Sequence, residues 1–259
     1  MGAGSIILKS AEELEIMREA NQLVAATLTM LSARIRPGVS TAQLDTWAEE
    51  FVRERGGIPA FKGYRGFPGS LCVSLNEQVV HGIPSKKVVV REGDIVSIDF
   101  GVKWREFYGD AAVTLPVGKI PAQTAKLLQV TRESLQQGIA QVRVGNRIND
   151  IAQAVQEHVE RRGFSVVRQF VGHGIGRSLH EAPEIPNYVR SSGSVRLVAG
   201  MVLAIEPMVN IGTHEVKVLA DGWTVITKDR LPSAHFEHSV AVTENGPLVL
   251  SGDADLIRI

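Results

Sequence analysis

Cysteine is almost missing from this chain: Cys72 stands alone among 259 residues. That excludes an intrachain disulfide framework and fits a reducing compartment. Net charge is missing as well, because 28 Lys and Arg balance 28 Asp and Glu. No global field therefore draws the chain to nucleic acid or to an anionic membrane, so nucleic-acid specificity and membrane association are not expected. No apolar run approaches the length of a membrane span. Nothing at the N-terminus resembles a secretory signal, since Met1–Leu8 is short and Glu12, Glu13 and Glu15 follow at once. The expected location is the cytoplasm. What remains, 44% hydrophobic and 22% charged residues, is the composition of an ordinary globular protein of one large domain or two small ones.

Ser10 with Glu13 forms a capping-box pattern that opens a long amphipathic helix, expected to stop near Pro37-Gly38. A second helix is expected over Ser40 to Arg55, closed by Gly56-Gly57. Gly- and Pro-rich loops follow from Gly63 to Gly69, then strand-like runs at Leu71–Leu75 and Ile95–Phe100. Helices return from Pro121 to about Val142 and from Ile148 to Arg162, and the rest reads as strands and loops.

Two helices followed by strands thus occur twice, at a fixed offset of 107 positions, as from Arg36 to Arg143. Arg36-Pro37-Gly38 matches Arg143-Val144-Gly145, and Glu50, Val52, Arg55 and Gly56 match Glu157, Val159, Arg162 and Gly163. The same offset carries Gly93, Ile98 and Asp99 onto Gly200, Ile205 and Glu206. Shared helix punctuation could place the glycines alone, but not two carboxylates in equivalent strand positions. The expectation is a single domain spanning 1–259 with an internal repeat, about 10–117 and 118–250. Its two α+β halves would pack about a pseudo-twofold axis with a pocket between them.

Asp99 sits inside the buried run Ile95–Phe100, on one face with Ser97. An unpaired buried carboxylate costs several kcal/mol and needs a cation or strong donors (roughly, by transfer and mutational scales). Asp110 follows after a turn-like Lys103–Gly109 segment, so a hairpin would bring the two together. Glu206 repeats the pattern in Val202–Pro207, and Glu237 lies in the run Ala234–Val242. Four converging carboxylates would repel one another, and two divalent cations would neutralise them. His173, in Gly172-His173-Gly174-Ile175-Gly176, would complete an oxygen and nitrogen site suited to Mn, Fe, Co or Zn. Any one of these acids is more often solvated or salt-bridged than a ligand; the signal is the set of five.

That set, Asp99, Asp110, His173, Glu206 and Glu237, resembles the dinuclear site of type I methionine aminopeptidases. The surrounding motifs match too: Ser74-Leu75-Asn76-Glu77 leading to His81-Gly82-Ile83-Pro84, Gly109-Asp110-Ala111, Glu206-Pro207 and Glu237-His238. The resemblance runs from the first helix to about Leu250. It implies the α+β pita-bread (creatinase/aminopeptidase) fold, with two pseudo-twofold related halves around a central curved antiparallel sheet. It also implies two-metal removal of the initiator methionine from nascent polypeptide N-termini, favouring a small second residue. Glu206 would be both ligand and proton shuttle, His180 would donate to the oxyanion, and His81 would contact the scissile amide. A monomer is expected, and any ribosome contact would be transient.

The same resemblance implies a methionine pocket of Phe61, Tyr64, Phe67, Cys72, His81, Leu179 and Trp223. Phe61, Phe67 and Leu179 depart from the family's commoner cysteine, tyrosine and phenylalanine, and Phe61 with Leu179 reads as a compensating exchange of volume. Asn76 and Ser233 match positions that help hold a monovalent cation, although a loop held by ordinary hydrogen bonds fits them equally. His158 is expected on a solvated helix face and His238 on the strand face opposite Glu237, while His214 and His235 carry no expected role. Two rivals stand beside this reading. A same-fold peptidase cleaving before proline would carry an added N-terminal domain, whereas this chain starts at the catalytic one. A non-catalytic binding module would not retain all five ligand positions.

Overall fold

The computed structural model describes residues 5–191 and 193–252; the ends of the expected 1–259 domain, residues 1–4 and 253–259, lie outside them, as does residue 192. Its first helix, α1 (Ala11–Ser32), opens on the expected capping box, with Ser10 Oγ accepting from the Glu13 N–H and Glu13 accepting from the Ser10 N–H. It stops earlier than expected, because the Ala33 N–H turns back to the Thr29 and Leu31 carbonyls and Pro37-Gly38 forms a separate turn. The next helix, α2 (Thr41–Glu54), is capped by the Ser40 hydroxyl. The last two, α3 (Ala122–Ala140) and α4 (Ile148–Glu160), fall short of their expected ends at Val142 and Arg162 by two residues each. His158 corrects an expectation: its Nε2 lies 3.0 Å from Glu133 Oε2 between α3 and α4, and only 10% of the side chain is exposed.

The offset of 107 reappears in backbone geometry. Gly38 and Gly145 both hold φ 94°, Gly56 and Gly163 hold 79° and 82°, and Gly93 and Gly200 hold 88° and 91°. The isolated bridge Ser40–Val89 has its counterpart in Arg147–Arg196, and the bond from Gly38 N to Val90 O has its counterpart from Gly145 N to Leu197 O.

Nine antiparallel strands form the central sheet. Its longest members, Ile95–Trp104 and Phe107–Pro116, make one hairpin. The turn is only Arg105-Glu106, both at positive φ (44° and 67°), as a two-residue hairpin turn requires. The expected Lys103–Gly109 turn gives way to strand because burying Phe107 and pairing Lys103 with Tyr108 extend the ladder. Glu237–Thr243 pairs with the second strand of this hairpin, and Val202–Ile205, Gly172–Gly174 and Glu181–Ile185 follow in order. The expected run Ala234–Val242 is broken at Phe236, since Ser233–His235 pairs instead with Met208–Asn210 in a small sheet.

Strand alternation divides this sheet in two. Ile98, Phe100, Val113, Val240, Leu203 and Ile205 point to one face, where Leu28 and Leu31 of α1, Leu127 of α3 and Val155 of α4 complete the main core. The other face is left for polar chemistry. At the hairpin α1 comes very close: a Cβ on Gly109 would lie 2.8 Å from the Asn21 backbone nitrogen. Asn21 is buried there, and its Oδ1 accepts from the Asp110 N–H at 3.3 Å.

Candidate metal centre and pocket

Register alone gathers the expected ligands. Asp99 stands opposite Ala112, and Ala112 stands opposite Glu237, so the two acids flank one alanine on one face. Asp110, two residues from Ala112 along its strand, shares that face and meets Asp99 diagonally. Glu206 directly follows Val202–Ile205; continuing the pairing of His238 with Ile205 by one step sets it beside Glu237. His173 is opposite Ala204, two residues before Glu206, and so joins the same face. Cys72 closes the row from the other side, opposite Asp99.

These groups need a cation. Ligand atoms of Asp110, His173 and Glu237 lie within 4.8 Å of one another, and all three residues are buried. Asp99 Oδ1, Asp110 Oδ1 and Glu237 Oε1 are buried without a hydrogen-bond partner. Burial pushes Asp99 and Glu206 up to about 7, with His235 pulling Asp99 down, Glu206 pushing it up and His173 pulling Glu206 down. Asp110 and Glu237 are raised well above the carboxylate range, by burial first and then by their acidic neighbours. Orphaned, mutually repelling carboxylates beside an imidazole are the donor set of a divalent-metal site. His173 Nδ1 bonds the Gly174 carbonyl at 2.9 Å, which leaves Nε2, 3.6 Å from Glu206 Oε1, free to serve as a ligand atom.

The acids floor a cavity of about 140 Å³. Its walls are Phe61, Tyr64, Phe67, Cys72, His81, Leu179, His180 and Trp223, so every residue expected in the methionine pocket lines it. Phe67 meets Trp223 edge-on with ring centres 5.1 Å apart, and burial pushes the Cys72 thiol up, keeping it neutral. His81 adopts φ 59° and is lowered to about 4 by burial and then by His235. His180 stands at the mouth, exposed at its edge, stacked on Tyr64 and 4.1 Å from the His173 ring centre. Its Nδ1 is 2.9 Å from Tyr64 Oη. Surrounding protein, then His173, Arg65 and His81, lower it to about 3, so the ring is neutral. In the tautomer whose Nδ1 accepts the Tyr64 hydroxyl proton, Nε2 carries the hydrogen and can donate it into the pocket.

Two residues were missed in the sequence. His235 is buried with Nε2 unpartnered, 3.7 Å from Glu206 Oε2; its place two residues before Glu237 was the available signal. Arg65, at φ 51° in the Tyr64–Gly66 turn, lines the pocket with no pattern to announce it. Asn76 and Ser233 lie off the pocket lining and are joined by the Ser233 N–H to the Asn76 carbonyl at 2.9 Å. Asn76 also bonds Asp94 and the Ile95 N–H through its side chain. His238, buried on the strand face opposite Glu237, has Nδ1 2.6 Å from Ser251 Oγ.

A sheet packed on its helices by one face, and acidic and imidazole-bearing on the other, is the architecture of a metallohydrolase, and comparison with known proteins agrees. Residues 15–244 match the model of metallopeptidase family M24; the chain belongs to that family. Methionine aminopeptidase 1 of Bacillus subtilis is 53% identical over 241 residues, covering 93% of this chain and 97% of that protein. The crystal structure of methionine aminopeptidase from Thermotoga maritima superposes with a TM-score of 0.94 at 45% identity, over 96% of this chain and 100% of that one. A prolidase from Pyrococcus furiosus shares the fold alone, with a TM-score of 0.78 at 23% identity over 95% of this chain and 65% of that one. The fold is the expected pita-bread fold.

Proposed function

We propose that this enzyme removes the N-terminal methionine from peptides and nascent proteins by hydrolysis assisted by two divalent ions, with a small second residue preferred. The observation that carries the reading is that five ligand-type side chains and an apolar, sulfur- and aromatic-walled pocket share one cavity. Relatives of nearly equal length named methionine aminopeptidase support the substrate. Asp99, Asp110, His173, Glu206 and Glu237 would hold the ions, which when bound neutralise the acids and supply hydroxide near neutral pH. Four carboxylates and one imidazole accept Mn, Fe, Co or Zn.

The protein's own groups carry the rest. Glu206, open on the pocket side with His173 Nε2 at 3.6 Å and His235 Nε2 at 3.7 Å, takes the proton of the attacking water and passes it to the leaving amine. His180 donates from Nε2 to the oxygen that gains charge. His81 approaches the scissile amide from the opposite wall, held edge-on between Phe170 and Trp223. Phe61, Phe67, Cys72, Leu179 and Trp223 enclose the thioether, a soft group suited to aromatic contact.

A monovalent cation beside Asn76 and Ser233 belongs to the same reading, supported by the buried, unpartnered Asn210 Oδ1 on the strand that pairs with Ser233. A cytoplasmic monomer acting on chains leaving the ribosome completes it. No helix among the described residues is long and apolar enough to cross a membrane. The test uses metal-stripped protein, a Met-Ala-Ser peptide and added Mn, Co, Fe or Zn, with free methionine as the readout. Release that depends on metal and does not extend to Ala-Pro or Lys-Ala peptides is expected. Absence of release with every metal would overturn the reading.

A further inference from the structure

Lys9 and Glu181 form an ion pair across the molecule, Nζ to Oε2 at 2.5 Å, with side chains only 2% and 6% exposed. Removing two charges from water costs several kcal/mol each (roughly, after relaxation), so such a pair persists only where its geometry is well satisfied. Here it is. Lys9 Nζ also donates to the Ile7 carbonyl at 2.8 Å, and the Lys9 N–H donates to the Gly200 carbonyl at 2.7 Å. Glu181 Oε1 accepts from the Ser178 N–H at 3.1 Å. The lysine stem lies against Gly176 so closely that a Cβ there would be 2.3 Å from Lys9 Cε.

These contacts clasp one short loop. Its start, Gly176, accepts from the Tyr108 N–H at 2.8 Å, and its next residue, Arg177, reaches Glu13 of α1 at 3.1 Å. Its end is Glu181, paired across the strand ladder with Gly174, next to the ligand His173. Between them lie Leu179, a pocket wall, and His180, the oxyanion donor of the proposed mechanism. Among the described residues, no hydrogen bond of the His180 side chain other than that to Tyr64 fixes its height over the acids. The backbone of the loop must do so.

We propose that Lys9 is a positioning residue: through Glu181 it fixes the Gly176–Glu181 loop and so sets His180 over the metal centre. The N-terminal segment ahead of α1 is then part of the catalytic apparatus although it touches no substrate. This rests on the aminopeptidase reading, and the test keeps the two apart.

The experiment measures methionine release from Met-Ala-Ser by wild type, Lys9→Met, His180→Ala and Lys9→Met/His180→Ala, each loaded with the same metal. Amide hydrogen exchange of residues 176–181 is followed in parallel. Lys9→Met is expected to lower kcat about tenfold with KM within about twofold, a fraction of the full donor loss. It should add nothing in the His180→Ala background, and it should speed exchange at the Ser178 amide. Because Lys9→Met leaves Glu181 buried and unpaired, Lys9→Met/Glu181→Leu serves as the folded control, an apolar replacement of the whole pair that restores Tm. That variant should keep the low kcat, since the bond to Ser178 is gone. Wild-type kcat in this control, or equal losses from Lys9→Met with and without His180, would overturn the proposal. A wild type that releases no methionine would instead remove the aminopeptidase reading, while the exchange of residues 176–181 would still decide whether Lys9 orders the loop.

Discussion

Asp99 and Glu237 face each other across a single alanine, each registered opposite Ala112 from its own side of the Phe107–Pro116 strand. Strand neighbours lie about 4.8 Å apart, so two strands' separation is fixed by backbone hydrogen bonds before any ion arrives. Burial and mutual repulsion are therefore built into the metal-free protein. Asp110→Asn should abolish methionine release, as a lost ligand and a lost negative charge. The same substitution should raise the Tm of the metal-free protein at pH 8, because one orphaned buried carboxylate is gone. Calorimetry in the presence of a chelator checks this; a lowered Tm would show that Asp110 is satisfied by the protein alone.

The sign of the pH dependence follows. Asp99 and Glu206 are pushed up to about 7 from ordinary values of 3.8 and 4.5. Between those limits the folded chain holds protons that the unfolded chain has released. The stability these groups contribute is complete below about pH 4 and is lost as pH rises through 7. Metal-free protein should melt at lower temperature at pH 8 than at pH 5.5, and added Mn should raise Tm more at pH 8. Equal metal shifts at both values would sink the account.

How much of this was legible in the sequence depends on the kind of signal. The four helices carry caps and glycine stops written in neighbouring residues, so their positions were read to within a few residues, apart from the early end of α1. Convergence of the five ligands was legible because strand alternation and the repeat relate Asp99 to Glu206. The tight turn at Arg105-Glu106 was not, since neither residue favours positive φ and the turn exists because Phe107 is buried and the ladder extends. The break at Phe236 escaped for the same kind of reason: Ser233–His235 leaves the main sheet to pair with Met208–Asn210, a contact set by distant residues. His158 was misread because its partner, Glu133, comes from α3 and not from its own helix.

In the proposed mechanism His180 donates from Nε2, and Tyr64 Oη, 2.9 Å from Nδ1, favours the Nε2–H tautomer of the neutral ring when it donates its own proton. His180→Ala should lower kcat by about a hundredfold with a smaller change in KM, as for loss of one oxyanion donor. Tyr64→Phe keeps the stacked ring and removes only the hydroxyl, so a loss of about tenfold or less in kcat is expected from the weakened tautomer preference. Steady-state kinetics on Met-Ala-Ser decides: an unchanged kcat in His180→Ala would make this histidine a structural one.

Gly101 is the one position on the metal-facing row where a side chain is missing, two residues along from Asp99 and opposite Asp110. The space is taken by Phe61: a Cβ on Gly101 would stand 2.7 Å from Phe61 Cε1 and 3.1 Å from the Ala60 Cβ. The Ile58–Pro59 strand runs alongside this edge and fixes the backbone of that segment through pairing with Lys103 and Val102, so the ring has more freedom to move than the chain. Gly101→Ala should therefore push the Phe61 ring into the methionine pocket. The expected result is a KM for Met-Ala-Ser several-fold higher with kcat nearly kept, since uniform substrate binding is lost and the acids stay in place. The double variant Gly101→Ala/Phe61→Cys, which clears the ring, should recover much of the affinity. A single variant with unaltered KM would show that Phe61 does not bound the pocket in solution; a double variant no better than the single one would place the damage in the Asp110 pairing instead.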